Sequence, residues 1–222
     1  MCHRYSLTTL AAIAEFNEQL AEAASAAGLE WQPRYNVALT SRMPVIKRRQ
    51  ATAELELLHF GFHLPDRADK ERPRLVGNAR AETILARPSF RDAAQHRRCL
   101  VPADGFYEWE KQGETRLPHY FTLRDRRPFF FAGIWEPATA GTPAAFCIVT
   151  TTPNPLLAAI HDRMPVMLGP NSGPAWLGDE PLAPARLAQL CRPLPAGKMT
   201  GYRVDPRVNH ARYEAPDCIA PI

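Results

Sequence analysis

A chain of 222 residues, 45% hydrophobic and 23% charged, has the balance of a folded globular protein, which excludes a disordered, collagen-like or coiled-coil chain. No apolar run approaches the roughly 18 residues of a membrane span, and the amino terminus lacks the basic-then-apolar layout of a secretion signal, so a cytoplasmic protein without a membrane partner is expected. The formal charge is +4, but residues 1–31 set Arg4 against Glu15, Glu18, Glu22 and Glu30, leaving a basic remainder that suits a polyanionic partner or, equally well, solvated surface arginine.

In chain order, Leu10, Ile13, Ala14, Leu20 and Ala24 recur at near-helical spacing and predict a helix over 7–27, with Thr8 or Thr9 as cap and Gly28 as its stop. Short apolar or alternating runs then predict strands at 45–46, 55–62, 99–102, 120–123, 129–135 and 146–150. Short helices are expected at 89–96, 154–160 and 183–190, the first two opening on a capping residue or on proline. With no repeat or linker, the expected fold class is α+β: one domain over 1–222, mostly antiparallel sheet with peripheral helices. Five scattered cysteines without a CxxC pair fit neither a disulfide framework nor a zinc ribbon, and Cys99 and Cys147 read as buried packing residues.

Cys2 stands apart. Removal of Met1 would leave it as the mature amino terminus, with an α-amine of pKa roughly 7.7–8.0 beside a thiol of about 8.5. Such a 1,2-aminothiol traps aldehydes: the amine forms an imine and the thiolate closes a thiazolidine. Position alone favours an ordinary terminal cysteine. Three further segments carry polar chemistry. Gly77-Asn78-Ala79-Arg80-Ala81-Glu82-Thr83 is a polar island. Asp104-Gly105-Phe106-Tyr107-Glu108-Trp109 sets a carboxylate among aromatics, where desolvation raises its pKa. Ile160-His161-Asp162-Arg163-Met164-Pro165 holds a switchable base in His161. Taken singly, His161 reads as a satisfied structural histidine, Glu108 as an exposed strand position and Asn78 as a turn residue.

Taken in order, Cys2, Arg34-Tyr35-Asn36-Val37-Ala38, Asn78-Ala79-Arg80-Ala81-Glu82-Thr83, Gly105-Phe106-Tyr107-Glu108-Trp109 and His161-Asp162-Arg163-Met164-Pro165 resemble the SRAP family, the SOS-response-associated peptidases that process abasic sites. A weaker echo follows at Val208-Asn209. The resemblance implies a barrel-like core and a covalent thiazolidine crosslink between Cys2 and the ring-opened aldehyde of an abasic site in single-stranded DNA, shielding the lesion. It implies proton shuttling by His161, ring opening by Glu108, and an amide at Asn78 that holds the terminus and the sugar oxygens. Arg4, Arg80 and Arg163 would grip phosphates, and Asn36, Leu39 and Phe62 would complete the DNA contacts. Removal of Met1, self-release and weak lyase activity through β-elimination accompany this reading. No metal or organic cofactor is implied, and a monomer is expected.

The chain departs from the family pattern at His3, where glycine is usual, at Leu39, where proline is usual, and over Phe60-Gly61-Phe62-His63-Leu64-Pro65-Asp66-Arg67, where a Trp-Gly segment helps wedge and stack bases. The alternative in another class is an N-terminal nucleophile amidohydrolase using Cys2 on amides, for which no glutamine-binding motif is present. A non-catalytic nucleic-acid module, and a metal site of Cys2, His3 and His161 without close ligand spacing, are the remaining readings.

Overall fold

Proline and glycine cut this chain into short runs, and β-pairing gathers them. The computed structural model describes residues 3–16, 32–49, 52–65, 74–169 and 172–222. In chain order the described strands are β1 (Tyr5–Leu7), β2 (Arg34–Val37), β3 (Arg42–Arg49), β4 (Thr52–Phe60), β5 (Phe62–Leu64), β6 (Arg74–Val76), β7 (Asn78–Arg80), β8 (Arg98–Ala103), β9 (Gly105–Gln112), β10 (Thr115–Leu123), β11 (Phe129–Glu136), β12 (Ala145–Thr151), β13 (Met164–Pro165), β14 (Met167–Leu168) and β15 (Met199–Arg203). One sheet runs β15-β10-β9-β1-β2 and is antiparallel throughout. In the larger sheet β12, β4, β3, β8 and β11 pair in sequence, and β11 pairs β12 again, closing a five-stranded ring. Its parallel pairings are β12 with β4 and β12 with β7. The α+β class with a barrel-like core is therefore the observed architecture.

Alternation along the strands sorts side chains into two cores. From β8 and β11, Cys99, Val101, Phe129 and Phe131 join Tyr5, Phe60, Phe106 and Phe146 between the sheets. Their neighbours Leu100, Phe130, Ala132 and Ile134 face the other way, under Ile13, Phe90, Trp176 and Leu187 of the short helices. Cys99 and Cys147 are fully buried, and burial pushes both thiols up. No described helix is long and apolar enough to cross a membrane.

Several expectations shift. Of the helix over 7–27, the described part begins as strand, because Tyr5 and Ser6 ladder onto Phe106 and Gly105; helix is described from Ala11 to Phe16, where Thr9 Oγ1 accepts from Ala11 N at 3.1 Å, and residues 17–27 lie outside the described residues. Gly28 lies outside the described residues. The run 55–62 is two strands, not one: Gly61 adopts φ +114° and donates to Phe146 O at 2.7 Å, breaking the ladder between β4 and β5. The helix at 154–160 shortens to Pro155–Ala158 beneath its Asn154 cap, which accepts from Leu157 N. The other two helices form as Pro88–His96 and Pro184–Leu190.

The basic runs are largely neutralised from within. Lys47 pairs with Glu56, Arg48 with Asp179 at 2.6 Å, and Arg97 with Glu136 at 2.8 Å and with Asp92. Arg98 is buried and donates to the carbonyls of Ala94, Gln95, Trp176, Gly178 and Glu180, satisfying the ends of two helices.

Gly105 marks the closest approach at the start of β9. A Cβ there would lie 2.0 Å from the Tyr120 hydroxyl, which meets Ser6 Oγ at 2.8 Å while Ser6 also donates to Asp104. Gly105→Ala is expected to cost about 1–3 kcal/mol, seen as a lower urea midpoint. Gly197→Ala, with open space around it, should stay within about 0.5 kcal/mol of the parent.

Candidate active site

The site begins with backbone pairing. Tyr5 faces Phe106 and Ser6 faces Gly105, and Tyr107 N donates to Arg4 O at 3.1 Å. This antiparallel ladder directs His3 and Arg4 along β9 toward Glu108. Cys2 itself lies outside the described residues. On β9, Phe106 and Glu108 share one face and Tyr107 and Trp109 the other, so Glu108 projects toward the larger sheet. There it meets the segment joining helix Pro155–Ala158 to β13, and His161 Nε2 lies 4.0 Å from Glu108 Oε2.

Glu108 is 1% exposed, a buried strand position. Burial pushes its pKa up to about 7; Asp162 adds to the rise, and the positive charge of the chain's amino terminus opposes it. The same burial holds His161 below its ordinary value, assisted by the amino-terminal charge, so its ring is neutral at pH 7. His161 Nδ1 accepts from Arg163 N at 3.0 Å, which in the neutral ring puts the proton on Nε2, toward Glu108. Asp162 Oδ1 lies 3.0 Å from the same Nδ1, where an imidazolium would donate to it instead.

Asn78 starts β7, a strand rather than a turn, and lies opposite Ile148 of β12, donating to its carbonyl at 3.4 Å. Just before it, a Cβ on Gly77 would lie 2.6 Å from Leu39 Cδ2, 2.9 Å from His3 Cδ2 and 3.4 Å from Phe60 Cε2. The departures at positions 3, 39 and 60 thus converge on one backbone position beside Asn78. Burial, then the positive charges of the amino terminus and Arg4 and the nearby His161, depress His3 to about 4 and keep it neutral.

The expected DNA contacts fall into different places. Arg80 is exposed at the end of β7. Leu39 is half-buried against Gly77. Arg163 forms a two-pronged pair with Glu82, at 3.0 and 2.8 Å, and donates to Thr150 O at 2.7 Å, tying the His161 segment to β12 and to the turn after β7. Arg4 donates to Asn36 Oδ1 and Val208 O, each at 2.8 Å, with its guanidinium 5.9 Å from the Trp109 ring centre. Two expectations need correction. Phe62, 2% exposed, packs 6.2 Å from Phe90 in the core and offers no face to a base. Asn36, 1% exposed, donates to the carbonyls of Val208, His210 and Tyr213, so its amide is structural. Sequence reading gave no role to Glu82, to the Trp109 indole or to the 206–214 segment, of which Val208-Asn209 was the sole signal.

The family model of SOS response associated peptidase (SRAP) matches residues 1–211. The chain is 36% identical over 194 residues to the abasic site processing protein YoqW of Bacillus subtilis (strain 168), covering 86% of this chain and 87% of the relative. It is 30% identical over 193 residues to the abasic site processing protein YedK of Escherichia coli (strain K12), covering 85% of each. A crystal structure of a Bacteroides thetaiotaomicron protein shares the fold at 24% identity, with a TM-score of 0.77 over the whole of both chains. A phage-related protein of Bordetella bronchiseptica, 27% identical, aligns with a TM-score of 0.70 over 91% of this chain and 94% of that one.

A raised carboxyl pKa has a signed consequence for stability. Below pH 4.5 Glu108 is protonated in both folded and unfolded chains and costs nothing. As pH rises toward 7 the unfolded chain releases this proton first, so the folded state loses stability relative to it. Glu108→Gln should therefore be more stable than the parent by about 3 kcal/mol at pH 8, with the difference gone at pH 4. Urea unfolding at the two pH values checks this.

Proposed function

The chain belongs to the SOS response associated peptidase family, and from that membership we propose that it processes abasic sites, joining the mature Cys2 to the lesion in single-stranded DNA. The observation that carries this reading is a buried carboxyl pushed up to about 7, lying 4.0 Å from a neutral imidazole where the β1 ladder leads the amino terminus. A protonated acid beside a neutral base is what sugar opening and imine chemistry both require.

An abasic sugar is mostly a closed hemiacetal. Protonated Glu108 donates to the ring oxygen as the anomeric hydroxyl loses its proton to His161, whose Nε2 accepts it in the tautomer that directs Nδ1–H to Asp162 Oδ1; the ring C–O bond breaks and an aldehyde forms. The Cys2 amine adds to this carbon, the resulting hydroxyl takes a proton and leaves as water, and an imine remains. The thiol then adds to the imine carbon while its proton passes to nitrogen, closing the thiazolidine. One water is lost overall. Asn78 can donate to a sugar oxygen and accept from the amine without changing charge. Arg80, exposed two residues from Asn78, is the guanidinium best placed for a flanking phosphate. An imine that the thiol fails to close is open to β-elimination, which gives the lyase side reaction.

The test is intact mass. After incubation with a single-stranded oligonucleotide bearing one abasic site, the denatured protein should appear without Met1, with the mass of the DNA added less one water, and Cys2→Ala should show no such species. Absence of an adduct, or retention of Met1, would overturn the reading. Glu108→Gln should slow reaction with the cyclic sugar on the order of 100-fold and trapping of a simple open aldehyde much less. Equal slowing would remove Glu108 from ring opening.

A further inference from the structure

The segment after β15 reaches back to the site. A 3₁₀ turn at Pro206–Asn209, capped by Asp205, leads into residues 210–214, which lie along β2, the outer strand of the smaller sheet. Glu214 accepts from the backbone amides of Tyr35 and Asn36 and from Arg34 Nε at 3.0 Å, covering that edge. The segment has its own small core, in which Val208 and Cys218 pack against Tyr107 and Tyr120.

Two sets of bonds run from this segment and the β2 strand it covers to the reacting groups. Arg4, two residues from Cys2, donates to Asn36 Oδ1 and to the carbonyls of Val208 and Asn209, while Asn36 Nδ2 is held by three carbonyls of the same segment. Both neighbours of Glu108 are pinned on the opposite face of β9: Trp109 Nε1 donates to Asn209 Oδ1 at 2.6 Å, and the Tyr107 hydroxyl to Tyr35 O at 2.6 Å. Arg4 also lies over the Trp109 ring. The tether of the nucleophile and the strand of the acid are therefore fixed to one scaffold.

We propose that residues 206–214 form a positioning clasp, in which Asn36 and Asn209 hold Arg4 and Trp109 and so set the Cys2 amine against Glu108. This rests on the crosslinking reading above and adds to it that Arg4 is a positioning residue, fixed by protein oxygens, rather than a phosphate contact. Alignment is worth large factors in rate, since a displacement of ~1 Å costs about 10²-fold. It contributes nothing to DNA affinity.

Single-turnover crosslinking at saturating abasic single-stranded DNA separates these quantities, with affinity measured on an oligonucleotide bearing the unreactive tetrahydrofuran analogue. Asn36→Ala should slow the saturated rate on the order of tenfold with analogue affinity unchanged. Asn209→Ala, at an exposed position, should slow it about threefold, and Asn209→Asp, which keeps the acceptor for Trp109, should restore it. Where Asn36→Ala does not fold, the Asn209 pair decides alone. Unchanged saturated rates, or a loss confined to affinity in Arg4→Ala, would overturn the clasp while leaving crosslinking intact. No adduct with the unsubstituted protein would overturn both.

Discussion

The pairing of one three-residue strand sets up everything else in the site. β1 is hydrogen-bonded to β9 on one side and β2 on the other, and its register has little freedom. Tyr5 and Leu7 are fully buried between the sheets, whereas Ser6 turns the other way to Asp104 and Tyr120. A slip of one residue would push the Ser6 hydroxyl into an aromatic core and turn both neighbours onto the buried polar groups of Asp104 and Tyr120. The same register leads the amino-terminal residues along β9 toward Glu108. The strand is short, but polar and apolar requirements agree on its alignment, and that agreement orients the end of the chain.

Desolvation then gives the site its electrical character. It raises Glu108 and lowers His161 and His3, in each case favouring the neutral form. A protonated carboxyl is thereby kept beside an uncharged imidazole. Neutral histidines also spare a nearby amine from added positive charge, which would hold that amine protonated and unreactive. The tight pair of Arg163 with Glu82 and the internal contacts of Arg4 fit this picture, because both cations are drawn back into the protein framework.

Much of the fold was legible because alternation is a local signal. The runs around 99–102, 129–135 and 146–150 become β8, β11 and β12 with modest extension. What was illegible depends on distant partners. Nothing in residues 5–7 announces a strand until β9 and β2 lie beside it, and nothing in Arg42-Lys47-Arg48-Arg49 reveals the acids that neutralise three of its members from β4 and from Asp179. Gly61 ended a strand that hydrophobicity alone would have continued through Phe62. In the site, Glu108, His161 and Asn78 were legible through their motifs, and the first two come together. The same motif reasoning placed Asn36 and Phe62 on DNA, because a motif records that a residue matters without recording which way it faces.

The crowding at Gly77 couples positions that are distant in sequence. His3, Leu39 and Phe60 come from three separate stretches of sequence, yet each approaches the space a side chain at 77 would need. Substitutions among residues in such contact are not additive. A side chain at 77 is admitted only as the Leu39 and His3 side chains move aside. A change at any one of the four positions therefore alters what the other three can accommodate. Grafting any single one of them between relatives transfers a fragment of a lock whose other parts stayed behind.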